Sequence, residues 1–129
     1  MILRIVCMAA AGVIACGHAR AAEKTMTINF VGDWCYESQE DKMTTYTLPS
    51  WTEGGHCTKI LSIDQDVFYG EGRNCEPVNV RLTKKTAPSG TAYTAVVTAH
   101  CQPDGPVTQG ERLTFEFNRY KGHLMVTTK

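Results

Sequence analysis

The sequence predicts an all-β fold: a small antiparallel barrel of about eight strands, or a sandwich, stapled by disulfides. Three observations lead there. Short runs of alternating apolar and polar residues recur along the chain, separated by clusters of Gly, Pro, Asn, Asp and Ser. Beyond the apolar N-terminal run, no stretch carries a helical period. Four cysteines outside that run, an even set, suit a small domain closed by covalent links.

Taken in order, Met26, Ile28 and Phe30 alternate with Thr27 and Asn29, which places a first strand there. Trp34 keeps the same parity across an irregularity at Gly32. Glu37 to Lys42 is polar and reads as a loop. Met43 to Leu48 is a second strand stopped by Pro49. The following Pro49-Ser50-Trp51-Thr52-Glu53-Gly54-Gly55 is rich in turn formers yet carries an exposed tryptophan. Cys57 to Ile63 is β-rich and ends at Asp64-Gln65-Asp66. Val67-Phe68-Tyr69 is a short strand, and Gly70-Glu71-Gly72-Arg73-Asn74 turns the chain.

Val78, Val80 and Leu82 alternate with Asn79, Arg81 and Thr83, a clear strand signal. Ala87-Pro88-Ser89-Gly90 is a turn, and Tyr93 to Cys101 returns as a strand dense in Thr and Val. Gln102-Pro103-Asp104-Gly105-Pro106 is a loop, since proline and glycine punctuate it. Leu113, Phe115 and Phe117 alternate against polar neighbours, Lys121-Gly122 makes the last turn, and Leu124 to Thr127 closes the series. Closure into a barrel would remove strand edges prone to aggregate.

The N-terminal residues read as a processing signal. Arg4 supplies a charged start, and Ile5 to Cys16 is apolar but shorter than the roughly 20 residues a spanning helix needs. Ala19-Arg20-Ala21 fits a small-x-small cleavage site, giving a signal peptide over 1–21 and a single β domain over 22–129. Val13-Ile14-Ala15-Cys16 also resembles a bacterial lipobox, which gives the alternative of a lipoprotein signal over 1–15 with Cys16 lipidated. Either route leads out of the cytoplasm, to the periplasm, the medium or a lipid anchor in the envelope. Membrane association is expected only through Cys16.

The full chain carries 13 basic and 13 acidic residues, and no basic stripe that could neutralise a run of phosphates. Nucleic acid is therefore not an expected partner, and a monomer is expected. Cys35, Cys57, Cys75 and Cys101 are the cysteines of the mature domain. Cys75 and Cys101 lie equidistant from the Pro88-Ser89 turn, so a hairpin there sets them opposite each other. That favours Cys75–Cys101 with Cys35–Cys57, other pairings remaining open. No C-x-x-C pair suggests zinc.

Candidate chemistry is sparse. His56, His100 and His123 stand in none of the familiar hydrolase or metalloprotease motifs. Asp64-x-Asp66 could begin a calcium loop, but Tyr69 occupies the position where such a loop needs glycine. Glu37, Glu40 and Asp41 are carboxylates in a polar stretch with nothing to raise the pKa of one of them. The expectation is a protein without catalytic residues, cofactor or metal.

Two short segments bear resemblances. Gly32-Asp33-Trp34 resembles the G-x-W signature of lipocalins and avidins. That likeness implies a glycine permitting a tight start, a tryptophan plugging one barrel end, and an arginine from a late strand over the indole, for which Arg119 is the candidate. It also implies a small-ligand cavity beneath Trp34. Ser89-Gly90-Thr91-Ala92-Tyr93 resembles the Ser-Gly-x-x-Tyr segment of the membrane-bound and periplasmic C-type lysozyme inhibitors, and Lys121-Gly122 is similar to their second, Lys-Gly element. This resemblance implies a disulfide-bearing eight-stranded barrel that occludes a lysozyme cleft. Ser89, Gly90, Tyr93 and Lys121 would be the binding residues, with the Ser89 hydroxyl and Lys121 ammonium pairing with catalytic carboxylates.

Trp51, between Pro49-Ser50 and Gly54-Gly55, is a further binding candidate, since an aromatic on a loop buries much area at small entropy cost. With Tyr46 beside it, it could stack on a sugar ring. The expected function is thus an exported, non-enzymatic binding or inhibitory module acting through a rigid surface loop. A calycin-like carrier of a small ligand, a glycan binder and a structural protein of the envelope are the alternatives.

Overall fold

The computed structural model describes residues 23–52, 56–70, 72–103 and 110–129. The signal-peptide and Cys16 readings fall outside them, as do Gly54-Gly55 and most of the Gln102–Pro106 loop. The strands are β1 (Gly32–Glu40), β2 (Met43–Thr47), β3 (Ile60–Ile63), β4 (Phe68–Gly70), β5 (Arg73–Ala87), β6 (Gly90–Pro103), β7 (Glu111–Tyr120) and β8 (His123–Thr128). They form a closed antiparallel barrel in the order β1-β2-β8-β7-β6-β5-β4-β3, with β3 back on β1. From β3 to β8 the chain is a meander. The β1–β2 hairpin is set the other way round, so β2 rather than β1 meets β8.

Alternation decides which side chains point inward. Ala95, Val97, Ala99 and Cys101 of β6 are buried, with Phe115 and Phe117 of β7 and Leu124 of β8. Phe68 meets both Phe115 and Phe117 edge-on, at 5.4 and 5.2 Å between ring centres, and the small alanines of β6 leave room for those rings. Both disulfides form as the turn spacing favours, Cys35–Cys57 and Cys75–Cys101. Cys75 and Cys101 are direct register partners across the β5–β6 hairpin.

Two elements differ from the sequence reading. Met26 to Phe30 is not a strand. The Phe30 N–H donates to the Thr27 carbonyl and the Val31 N–H to the Ile28 carbonyl, a turn that buries Met26 and Phe30 and leaves Ile28 71% exposed. The cause lies in unequal strand lengths. β4 has three residues and β5 fifteen, so β5 outruns its neighbour and leaves a gap in the wall. Segment 23–31 fills it: Glu23 bridges to Val80, the Met26 N–H donates to the Gln65 carbonyl, and Met26 and Phe30 enter the core. The second correction is at Glu37 to Lys42. β1 runs through this polar stretch to Glu40, which pairs with Met43 around Asp41-Lys42, where Asp41 takes a left-handed φ of 55°. Its side chains are exposed at the rim, so no apolar alternation marks it.

Candidate binding surface at the hairpin end

The barrel's two ends are built differently. One end carries the β5–β6 and β7–β8 turns; the other carries the β1–β2 turn and the β4–β5 connection. At the first end Trp34 is fully buried, and its indole N–H donates to the Phe30 carbonyl at 3.0 Å. The Arg119 guanidinium lies over the indole at 4.9 Å from the ring centre. Arg119 also donates to the Asn29 carbonyl at 2.7 Å and, through Nε, to the Lys121 carbonyl at 2.9 Å. One side chain therefore ties the buried plug, the wall-filling segment and the β7–β8 turn. Gly32, where β1 begins, takes a φ of 138°, a conformation that side chains rarely adopt.

Outside this clamp the two turns meet. Pro88-Ser89 joins Ala87 to Gly90, which are register partners, so the loop is a tight two-residue turn. Lys121-Gly122 does the same between Tyr120 and His123, with Lys121 at a left-handed φ of 55°. The Tyr120 hydroxyl donates to the Ser89 carbonyl at 2.7 Å, and the Lys121 ammonium sits 5.3 Å from the Tyr120 ring centre. Gly90 has a positive φ of 142°, and a Cβ there would lie 3.2 Å from the Tyr120 ring, a tight contact. The long stretch between Tyr93 and Lys121 thus does not separate the two turns in space. Ser89 and Lys121 are exposed and adjacent.

Trp51 lies on the same surface. It ends the short 3-10 turn Pro49–Trp51 and stays 54% exposed. Its indole covers Gly122 so closely that a Cβ there would stand 2.6 Å from the ring, and it meets His123 edge-on at 5.3 Å. The Leu48 N–H donates to the Gly122 carbonyl, which fixes the loop to the turn beneath.

Two expected site residues stand elsewhere. Tyr46 is buried, with Tyr36 edge-on to it at 6.4 Å, because its parity on β2 points it inward. It cannot join Trp51 over a sugar ring. Tyr93 faces inward opposite Lys84 and Arg119, half-buried, and lines a cleft beside segment 23–29 rather than the Ser89 surface. His123 adjoins Trp51 and His100 lies far along β6, so these histidines do not converge. Among the described residues no cluster of His, Cys, Asp and Glu could hold a metal ion.

The opposite end holds a cavity of about 50 Å³, lined by residues including Thr44, Tyr46, Phe68, Arg73 and Cys75. That is room for water rather than for a ligand, whose sites run to roughly 300 Å³ or more. Sequence reasoning missed Tyr120, the residue that joins the two turns. Only the β6–β7 register, which sets Ala92 against Tyr120, brings it beside Ser89. No family model, curated protein or solved structure matches this chain.

Proposed function

We propose that this chain is an exported, non-enzymatic module that binds and inhibits a partner protein through its rigid hairpin end, with a C-type lysozyme as the partner its turns best suit. The observation that carries this reading is the Tyr120 hydrogen bond to Ser89. It ties the exposed Ser89 turn to Tyr120, the residue before the exposed Lys121, so that the two turns lie together. A hydroxyl and an ammonium so placed suit a pair of carboxylates in a cleft, the ammonium supplying charge-assisted hydrogen bonds. Both turns are held in place, so little ordering entropy opposes association. Trp51 adds an aromatic anchor at the edge of the same surface.

Export accords with the two disulfides, which persist in an oxidising compartment. A ligand cavity beneath Trp34 finds less support, because Trp34, Phe30 and Phe117 are fully buried there and Phe30 packs edge-on against Phe117.

The test is inhibition of a C-type lysozyme by protein recovered after export from an oxidising host, with Ser89→Ala and Lys121→Ala beside it. Inhibition that weakens about tenfold or more in each variant, at unchanged thermal stability, is the expected result. No inhibition at micromolar protein removes lysozyme as the partner.

A further inference from the structure

Among the described residues, one side of β5 is only partly paired. On one side β5 pairs with β6 throughout. On the other, β4 pairs only with Arg73, Asn74 and Cys75. Glu23 then bonds Val80 in both directions, its N–H to the Val80 carbonyl at 3.0 Å and its carbonyl from the Val80 N–H at 2.6 Å. Beyond Val80, no described residue pairs with that edge.

The Glu23 bridge fixes the parity. Since both main-chain groups of Val80 point away from β6, those of Leu82, Lys84 and Thr86 do too, as the only register shift on β5 lies before Val80. Three N–H donors and three carbonyl acceptors stand in a row, spaced for an antiparallel strand. Beside them runs a cleft of about 840 Å³, lined by residues that include Met26, Ile28, Leu82, Lys84 and Tyr93.

We propose that this edge, a surface separate from the Ser89 and Lys121 turns, takes an extended acidic peptide segment of another protein as an added strand. Glu23 already makes one antiparallel bridge at the base of the edge. Charge selects the guest. Arg81, Lys84 and Lys85 are exposed along the edge, and no acidic residue lies between Arg81 and Ala87. Apolar residues of the guest would turn toward Leu82, Ile28 and Tyr93, and its carboxylates toward Arg81 and Lys85.

A second copy of this chain is the wrong guest. With paired groups in phase, self-association centred on Thr83 sets Arg81 opposite Lys85. Centred on Lys84 or Lys85, it sets lysine against its own copy. Like charges directly opposite destabilise a strand pair, so the same lysines that discourage self-pairing favour an acidic stranger.

The experiment uses the exported protein and two synthetic peptides, one alternating valine with glutamate and the other valine with lysine. Binding is followed by calorimetry, and amide exchange is read at Leu82, Lys84 and Thr86. The expected result is saturable binding of the glutamate peptide alone, with those three amides slowed. Arg81→Glu with Lys85→Glu should reverse the preference. Thr86→Pro removes one edge donor and no β6 bond, and should weaken binding about tenfold. Absence of binding, equal binding of both peptides, or slowed amides mapped elsewhere overturns the proposal. So does protection of the three amides before any peptide is added, which would mean that the chain's own residues preceding Glu23 occupy the edge.

Discussion

The two ends of this barrel reach closure by different means. At the hairpin end Trp34, Arg119, Asn29 and Lys121 form a connected set of stacking and main-chain hydrogen bonds, and two tight turns rest on it. At the far end a covalent bond, Cys75–Cys101, ties two neighbouring strands beside a small cavity. The first arrangement fixes surface groups relative to one another. The second constrains the chain without presenting any group outward. The contrast explains why the candidate binding residues gather at only one end. A binding turn needs its geometry specified from beneath, and a disulfide between adjacent strands does not specify it.

The largest expected effect tests the clamp. Trp34→Ala removes the fully buried plug and the stack under Arg119, and should lower stability by about 3–5 kcal/mol in chemical denaturation. In protein that still folds, any binding through the Lys121 turn should weaken as well, since Arg119 loses the ring it stacks on and keeps only its two carbonyl partners. Removing the far-end disulfide is the counterpart. Cys75→Ala with Cys101→Ala opens a loop of 26 residues, for which chain entropy gives about 3.5 kcal/mol. Stability should fall comparably, yet any binding through the Ser89 and Lys121 turns should persist in the folded fraction. If that binding disappears with the disulfide, the two ends are not independent.

A smaller effect probes Trp51. Gly122→Ala would drive a methyl group into the indole, whose atoms stand 2.6 to 2.8 Å from that position. A rigid ring must shift, at about 1–3 kcal/mol, and the Trp51 emission should move to longer wavelength as the loop lifts. The smallest effect lies away from both ends. Asn118 donates a hydrogen bond to Glu116 and Lys129 pairs with it at 3.1 Å, and these hold the Glu116 carboxyl below the usual carboxylate range. A lowered pKa in the folded state gives stability that is present at neutral pH and lost as pH falls through that lowered value. Asn118→Ala should move the Glu116 midpoint upward in an NMR titration and leave both ends untouched.

Legibility in the sequence followed the same division. Strands buried on one face announce themselves by alternation, so β5 to β8 were readable from Val80, Phe115 and Leu124. The Cys75–Cys101 pair was readable because both residues count from one turn. What was not readable depends on partners remote in the chain. Met26 and Phe30 fit an alternating strand equally well, and only the shortness of β4 turns that segment into a filler. Glu37 to Glu40 lacked any apolar signal because both its faces meet solvent at the rim. At the candidate site, Ser89 and Lys121 stood out by local turn chemistry. Their adjacency did not, because it rests on Tyr120 across a neighbouring strand.

The pairing of β2 with β8 has a consequence for the order of events in folding. Met43 meets Thr127, and the Thr128 N–H donates to the Lys42 carbonyl, so closure joins residues about 85 apart. A chain emerging N-terminus first can zip the β5–β6–β7 meander early, because each of those contacts spans one turn. Its first hairpin must wait, with β2 an open edge, until the last strand arrives. Until β8 has docked, that edge stays bare and exposed to other chains, so the barrel shuts only through a strand far from β2 in the chain.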